Sequence, residues 1–196
     1  RRDGKLEWKD YTPYETRIIG SWLYLGRADR AHEMLDFFFH DQRPQGWNSW
    51  GEIVWRDPKT TRFVGDMPHT WVGGDYVNAV RAMFVHERPS DGALVIGAGV
   101  KSTWLDEGRP DGAAVRISGF PTIGGSVAYQ MSRSDKGGVK FDLVQLPASL
   151  PPAGLVVTNP DPRPIKRATV DGRDVSFGDG RAVVLHEPPH TVVFEY

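Results

Sequence analysis

The chain has 196 residues, enough for one large domain or two small ones with a real core. Its 24 Lys+Arg against 25 Asp+Glu leave a formal net charge of −1, so charge makes no case for nucleic acid or an anionic membrane surface as partner. The absence of cysteine excludes disulfides, thiolate metal sites and a cysteine nucleophile, and no apolar run approaches the roughly 18–20 residues of a membrane-spanning helix.

The chain opens on Arg1-Arg2-Asp3 with no initiator Met, and its first helix begins mid-architecture, the pattern of a fragment of a longer protein. Tyr14, Ile18, Trp22 and Leu25 recur at helical spacing, and Gly26 supplies a C-terminal stop. A second stripe follows at Ala28, Ala31, Leu35, Phe38 and Phe39, with Asp29 and Glu33 near its start, where carboxylates suit the helix dipole. So short a break makes the two helices an antiparallel αα-hairpin. Pro44 and Gly46 end the pattern, and a Trp-rich loop spans 43–73. Asp75 then opens a third helix with Val77, Val80, Met83 and Phe84 on one face, ending before Pro89.

Beyond Pro89 the apolar period changes from about 3.6 to about 2. Val115-Ile117, Val127-Tyr129-Met131, Val139-Phe141-Leu143, Val183-Leu185 and Val192-Phe194-Tyr196 alternate with polar or small residues, separated by Gly-, Pro- and Asp-rich turns. Asp171-Gly172, between Ala168-Val170 and Val175-Phe177, specifies a type I′ hairpin. The stretch Pro147–Pro164 holds six prolines and reads as a loop or crossover around a short strand at Leu155-Val156-Val157. The expected class is α+β: a helical segment over 1–88, then an antiparallel β-sheet or β-sandwich over 89–196. Trp22, Tyr24, Phe37, Phe38 and Phe39 are more than these helices cover by themselves. Either the β half or helices outside this chain must cover the rest, and the second is favoured.

Of the seven Trp, six lie at or before Trp71 and four fall between Trp47 and Trp71. The loop carries Gly46-Trp47-Asn48-Ser49-Trp50-Gly51-Glu52-Ile53-Val54-Trp55 and then Asp66-Met67-Pro68-His69-Thr70-Trp71. A loop of about 30 residues without periodicity is uncommon inside a compact domain and is often functional. Sugars suit this composition: their C–H faces stack on indoles, and Asn, Asp, Glu and His hydrogen-bond their hydroxyls. Each residue also has a structural reading. Trp47, Trp50, Trp55 and Trp71 can bury the underside of the loop, Glu52 can be an exposed residue or a cap, Asp66 can cap the Met67-Pro68 turn, and His69 can be a satisfied structural histidine. Asp57 before Pro58 reads as a turn former, and His32 and His40 lie on the helical pattern. No His/Asp/Glu spacing makes a metal site, and Gly73-Gly74 and Gly97-Ala98-Gly99 are too short and wrongly placed for a phosphate loop. No metal or cofactor is expected.

The order of an αα-hairpin, Trp50-Gly51-Glu52, then Pro68-His69-Thr70-Trp71-Val72-Gly73 opening a helix, then a β-rich tail resembles the C-terminal end of six-hairpin (α/α)6-barrel glycosidases. The nearest pattern is that of the α-L-rhamnosidases and their relatives, including bacterial α-L-fucosidases, in which a Trp-Glu pair precedes a His-containing segment that starts the last inner helix. This chain departs from the pattern in two places. Gly51 separates Trp50 from Glu52, where the rhamnosidases place Trp and Glu side by side, and Asp66-Met67-Pro68 replaces a Ser/Asn-rich approach to the histidine. No particular sugar is therefore implied. The resemblance implies the end of an (α/α)6 toroid and an inverting hydrolysis in which Glu52 is the general base. His69 would contact the sugar together with Trp47, Asn48, Trp50, Asp66 and Trp71. The general acid would lie upstream of Arg1, about 6.5–9.5 Å from the base so that a water fits between them. The expected partners are a carbohydrate and the upstream part of the parent protein, or a second chain, completing the barrel. Competing functions are a non-catalytic carbohydrate-binding module and a structural β-rich clamp.

Overall fold

The computed structural model describes residues 4–42, 46–57, 59, 67–106, 115–178 and 181–196. The class is α+β, and the chain forms two compact units, Arg1–Arg81 and Ala82–Tyr196.

The first unit contains β1 (Asp10–Tyr11), a 3-10 helix at Pro13–Thr16, α1 (Arg17–Tyr24), α2 (Ala28–His40) and β2 (Val54–Trp55), and α3 (Thr70–Phe84) begins in it. β1 and β2 pair antiparallel. α1 ends as Gly26 predicts. Gly26 lies at φ 69°, its N–H reaches the Leu23 carbonyl at 3.0 Å and the Arg27 N–H reaches Trp22 at 2.8 Å, the two bonds of a Schellman stop. The buried face of α1 is Ile19, Gly20 and Leu23, not the expected Ile18 and Leu25, which are exposed. Tyr14 lies in the tighter 3-10 helix, and that change of pitch shifts the phase of the residues after it. On α2, Ala31 and Phe38 are buried while Phe39 is exposed.

α3 starts at Thr70, five residues before the expected Asp75, with the Gly73 N–H bonded to the His69 carbonyl at 3.1 Å. Gly73-Gly74 costs helix propensity, about 1 kcal/mol per glycine, and here tertiary burial of Val72 and Ala79 outweighs it. Val77, expected on the apolar face, is exposed. The helix stops at Phe84, and Val85–Glu87 is a strand instead of a continuation toward Pro89.

In the second unit the strands are β3 (Val85–Glu87), β4 (Leu94–Ile96), β5 (Val115–Thr122), β6 (Gly125–Arg133), β7 (Val139–Gln145), β8 (Leu155–Thr158), β9 (Arg167–Val170), β10 (Arg173–Asp174), β11 (Ala182–Leu185) and β12 (Thr191–Glu195). One sheet has the order β10-β9-β12-β7-β6-β5 and is antiparallel throughout. The other, β11-β8-β4-β3, is mixed: β4 and β8 run parallel, Leu94 opposite Leu155 and Ile96 opposite Val157. A fully antiparallel arrangement was expected. The long connection between β4 and β8, which contains β5, β6 and β7, permits a parallel pair because it is far longer than the minimum crossover.

Alternation places Val127, Tyr129, Met131, Val139, Phe141, Val192 and Phe194 of the first sheet in one core with Leu94, Ile96, Leu155, Val157 and Val183 of the second. β4 is buried on both faces, and Val95 with Val156 and Ala93 forms a smaller cluster on the opposite side. The chain passes close to the end of α3 at Gly97–Gly99. Gly97 N–H bonds Phe84 at 2.9 Å, Gly99 N–H bonds Met83 at 2.8 Å, and a Cβ on Gly99 would sit 2.6 Å from the Met83 Cα. Asp171 and Gly172 have φ 48° and 79°, as a type I′ turn requires. A two-residue loop sets Arg173 directly opposite Val170, so the partner strand begins at Arg173–Asp174, earlier than the expected Val175–Phe177, and the Val175 N–H still reaches the Ala168 carbonyl at 3.0 Å.

Candidate functional site

Two separate stretches of the first unit meet around Tyr14. Pro13 opens the 3-10 helix that presents the Tyr14 ring. The phenol oxygen lies 2.6 Å from His69 Nε2, and the two rings meet edge-on at 5.5 Å. Either the phenol donates to an unprotonated Nε2, or Nε2–H donates to the phenol oxygen. Trp71 meets the same ring edge-on at 5.8 Å, and the Arg17 guanidinium lies 4.7 Å from its centroid. Arg17 Nε donates to Asp75 Oδ2 at 2.7 Å, which pairs that carboxylate with a guanidinium. The helical spacing of Trp71 and Asp75 on α3 puts both on the side that faces Tyr14 and Arg17. Trp71 keeps 65% of its surface open, so an indole face is available beside a hydroxyl, an imidazole and an ion pair.

The other expected site residues divide. Trp50 is 2% exposed: its indole N–H donates to the Phe38 carbonyl at 3.1 Å and its ring packs 4.8 Å from Tyr76. So buried a ring offers no face to a ligand, and Trp50 is a core residue. Trp55 sits on β2 with the Lys9 ammonium 5.4 Å from its ring. Trp47 is 61% exposed, and Asn48 is exposed with φ 50°, a left-handed conformation that Asn tolerates. Glu52 is half-buried and makes no hydrogen bond or ion pair among the described residues. Asp66 lies outside the described residues. Among those described, no hydrogen bond, ion pair or ring contact joins Trp47, Asn48 or Glu52 to the Tyr14, His69 and Trp71 cluster.

No family model matches the chain, and neither does any curated protein or solved structure.

Sequence reasoning missed Tyr14, Arg17 and Asp75 as members of the cluster. Tyr14 fitted a helical stripe and Asp75 a helix start, and no local spacing links residue 14 to residue 69. Among the described residues no group of His, Cys, Asp or Glu is arranged to hold a metal ion, and no helix is long and apolar enough to cross a membrane.

The second unit holds a polar cluster of a different kind. Asp161, 4% exposed, accepts Arg133 Nη1 and Arg163 Nη2 at 2.8 Å on one oxygen, and Arg163 Nε at 2.9 Å with the Arg163 N–H at 3.0 Å on the other. The Arg163 hydrogen bonds, reinforced by Arg133, hold this carboxyl well below the usual carboxylate range against the opposing effect of burial. Arg163 also lies 4.1 Å from the ring of Tyr196, whose hydroxyl donates to Asn159 at 2.6 Å and whose own titration burial pushes up to about 12. Each carboxylate oxygen already takes two bonds, so the cluster braces three segments and leaves nothing for a ligand.

Proposed function

We propose that this chain is the carbohydrate-facing C-terminal part of a glycoside hydrolase, the closing helices of an (α/α)6 barrel followed by a β-sandwich, with Glu52 as general base. The sugar part rests chiefly on one observation: an exposed indole, Trp71, is held edge-on by Tyr14, and the same phenol pairs with His69. A pyranose can stack its C–H face on that indole while hydroxyls meet His69, Tyr14 and the Arg17–Asp75 pair. Trp47 and Asn48, both exposed, extend the proposed contacts.

The catalytic part is supported by the resemblance around Trp50-Gly51-Glu52 and by the uncommitted state of the Glu52 carboxylate. Glu52 would take a proton from a water as that water attacks the anomeric carbon on the face opposite the leaving group. A carboxylic acid from outside this chain would protonate the departing oxygen. Helices from the parent protein or a second chain would cover the exposed Ile18, Tyr24, Leu25 and Phe39.

Titrating mono- and oligosaccharides while following tryptophan fluorescence tests the sugar reading. Binding that falls at least tenfold in Trp71→Ala supports it, and silence toward every saccharide overturns it. In the complete enzyme, Glu52→Gln should lower aryl-glycoside turnover by roughly 100-fold or more while binding persists. Unchanged turnover removes the base. The Arg17–Asp75 pair favours a second reading, binding without hydrolysis, because the carboxylate of the cluster is already paired with a guanidinium. In that case Glu52→Gln changes affinity alone.

A further inference from the structure

An open cavity of about 340 Å3 lies on the second unit, between Glu87 of β3, the turn joining β5 to β6, and the proline-rich stretch before β8. Its walls are apolar: Ile123, Pro147, Leu150, Pro151 and Pro152, with Glu87 the sole charged group in the lining. Neither an aromatic ring nor a row of amides is present, so it is not built for sugar.

Three observations mark it as a site. Ile123 sits in the two-residue turn between Thr122 and Gly125, and its side chain is 93% exposed at the rim. A large branched apolar side chain gains nothing from water there and little from the turn. The walls are also fixed in advance. Thr122 Oγ1 donates to the Gly125 carbonyl at 2.5 Å, a Cβ on Gly124 would already meet the Pro147 ring at 3.4 Å, and Gly154 N–H bonds the Pro151 carbonyl at 2.7 Å. Finally, Glu87 uses one oxygen to accept the Ile123 N–H at 2.8 Å, and among the described residues nothing hydrogen-bonds the other.

We infer that this cavity binds a small ligand with an apolar body and a single cationic group, an aryl- or alkylammonium in size. The volume falls within the range of small-molecule sites, about 300–1,000 Å3. The body lies on the proline rings, Leu150 and Ile123, and the ammonium meets the second Glu87 oxygen. The inference is independent of the sugar site in the first unit.

The test uses the whole chain and three probes that share a phenylethyl or phenylpropyl body: 2-phenylethylammonium, neutral 2-phenylethanol and anionic 3-phenylpropanoate. Chemical shifts are followed by NMR at neutral pH. Saturable shifts should centre on Ile123, Gly124 and Leu150, with the ammonium bound about three- to fivefold tighter than the alcohol and the anion weakest. Glu87→Gln keeps an oxygen for the Ile123 N–H and should bring ammonium and alcohol to equal affinity. Ile123→Ser should weaken all three probes. Equal binding of the three by the unmodified chain, shifts centred elsewhere, or no saturation at concentrations of about 20 mM would each overturn the inference, and none of these outcomes depends on a variant folding.

Discussion

Trp50 and Trp71 show how one residue type in one loop comes to opposite ends. Trp50 spends its N–H on the Phe38 carbonyl and its ring on Tyr76, whereas Trp71 touches Tyr14 and water. Trp50→Ala should therefore destabilise the first unit by about 3–5 kcal/mol, and Trp71→Ala should change stability by no more than about 0.5 kcal/mol; urea unfolding of both variants measures the contrast. The sequence could not sort them, because the partner of Trp50 lies on α2 and each indole follows a hydroxyl residue, Ser49 or Thr70, in a stretch without periodicity. Asp161 makes a second prediction. Its folded-state titration is depressed by Arg163 and Arg133, so its contribution to stability is fully present above the unfolded carboxylate value of about 4 and is lost as pH falls below that toward the folded value. Asp161→Asn should cost about 2 kcal/mol at pH 7, the lower end for a buried pair because both guanidinium groups keep some water. The penalty should shrink as pH is lowered through the acid range, as urea midpoints at pH near 7 and near 3 will report.

At the scale of elements, legibility followed the kind of signal. β7 and β12 show clean alternation because one face meets the core, and the sequence displays them plainly. β4 is not legible as a strand: buried on both faces, Leu94-Val95-Ile96 carries no period at all. The start of α3 was hidden by a glycine pair, and the candidate site by its assembly from two distant stretches. Glycines also separate two kinds of constraint. Gly172 needs only its φ of 79°, with nothing within reach of an added Cβ, so Gly172→Ala should cost about 1 kcal/mol. Gly99 faces the Met83 backbone, and Gly99→Ala should cost about 2–3 kcal/mol by overpacking, since backbone cannot step aside as a side chain can. Thermal melts of the two variants, compared at matched pH, check the order.

Over the whole molecule, the two units differ in how much apolar surface they bury among the described residues. The second gathers residues of both its sheets into one main core, while the first carries more of the exposed large apolar side chains, Ile18, Leu25, Phe39 and Trp71 among them. Hydrogen exchange should therefore be slowest at amides of β6, β7 and β12, which have strand neighbours on both sides, and faster along α1 and α2. Equal protection of the helices and these strands would contradict that ordering.

The parallel pairing of β4 with β8 sets an order of events in time. β5, β6 and β7 are joined by short connections and can zip as a local meander, but β8 reaches β4 only after the chain between them has been gathered. Closing that span costs entropy before any contact returns it, so the β4–β8 contacts belong late, beyond the rate-limiting barrier. Stopped-flow kinetics should then show Met131→Ala on β6 slowing refolding, and Val157→Ala on β8 leaving refolding nearly unchanged while hastening unfolding. The seam that admits β8 last is also the seam through which the native sheet first comes apart.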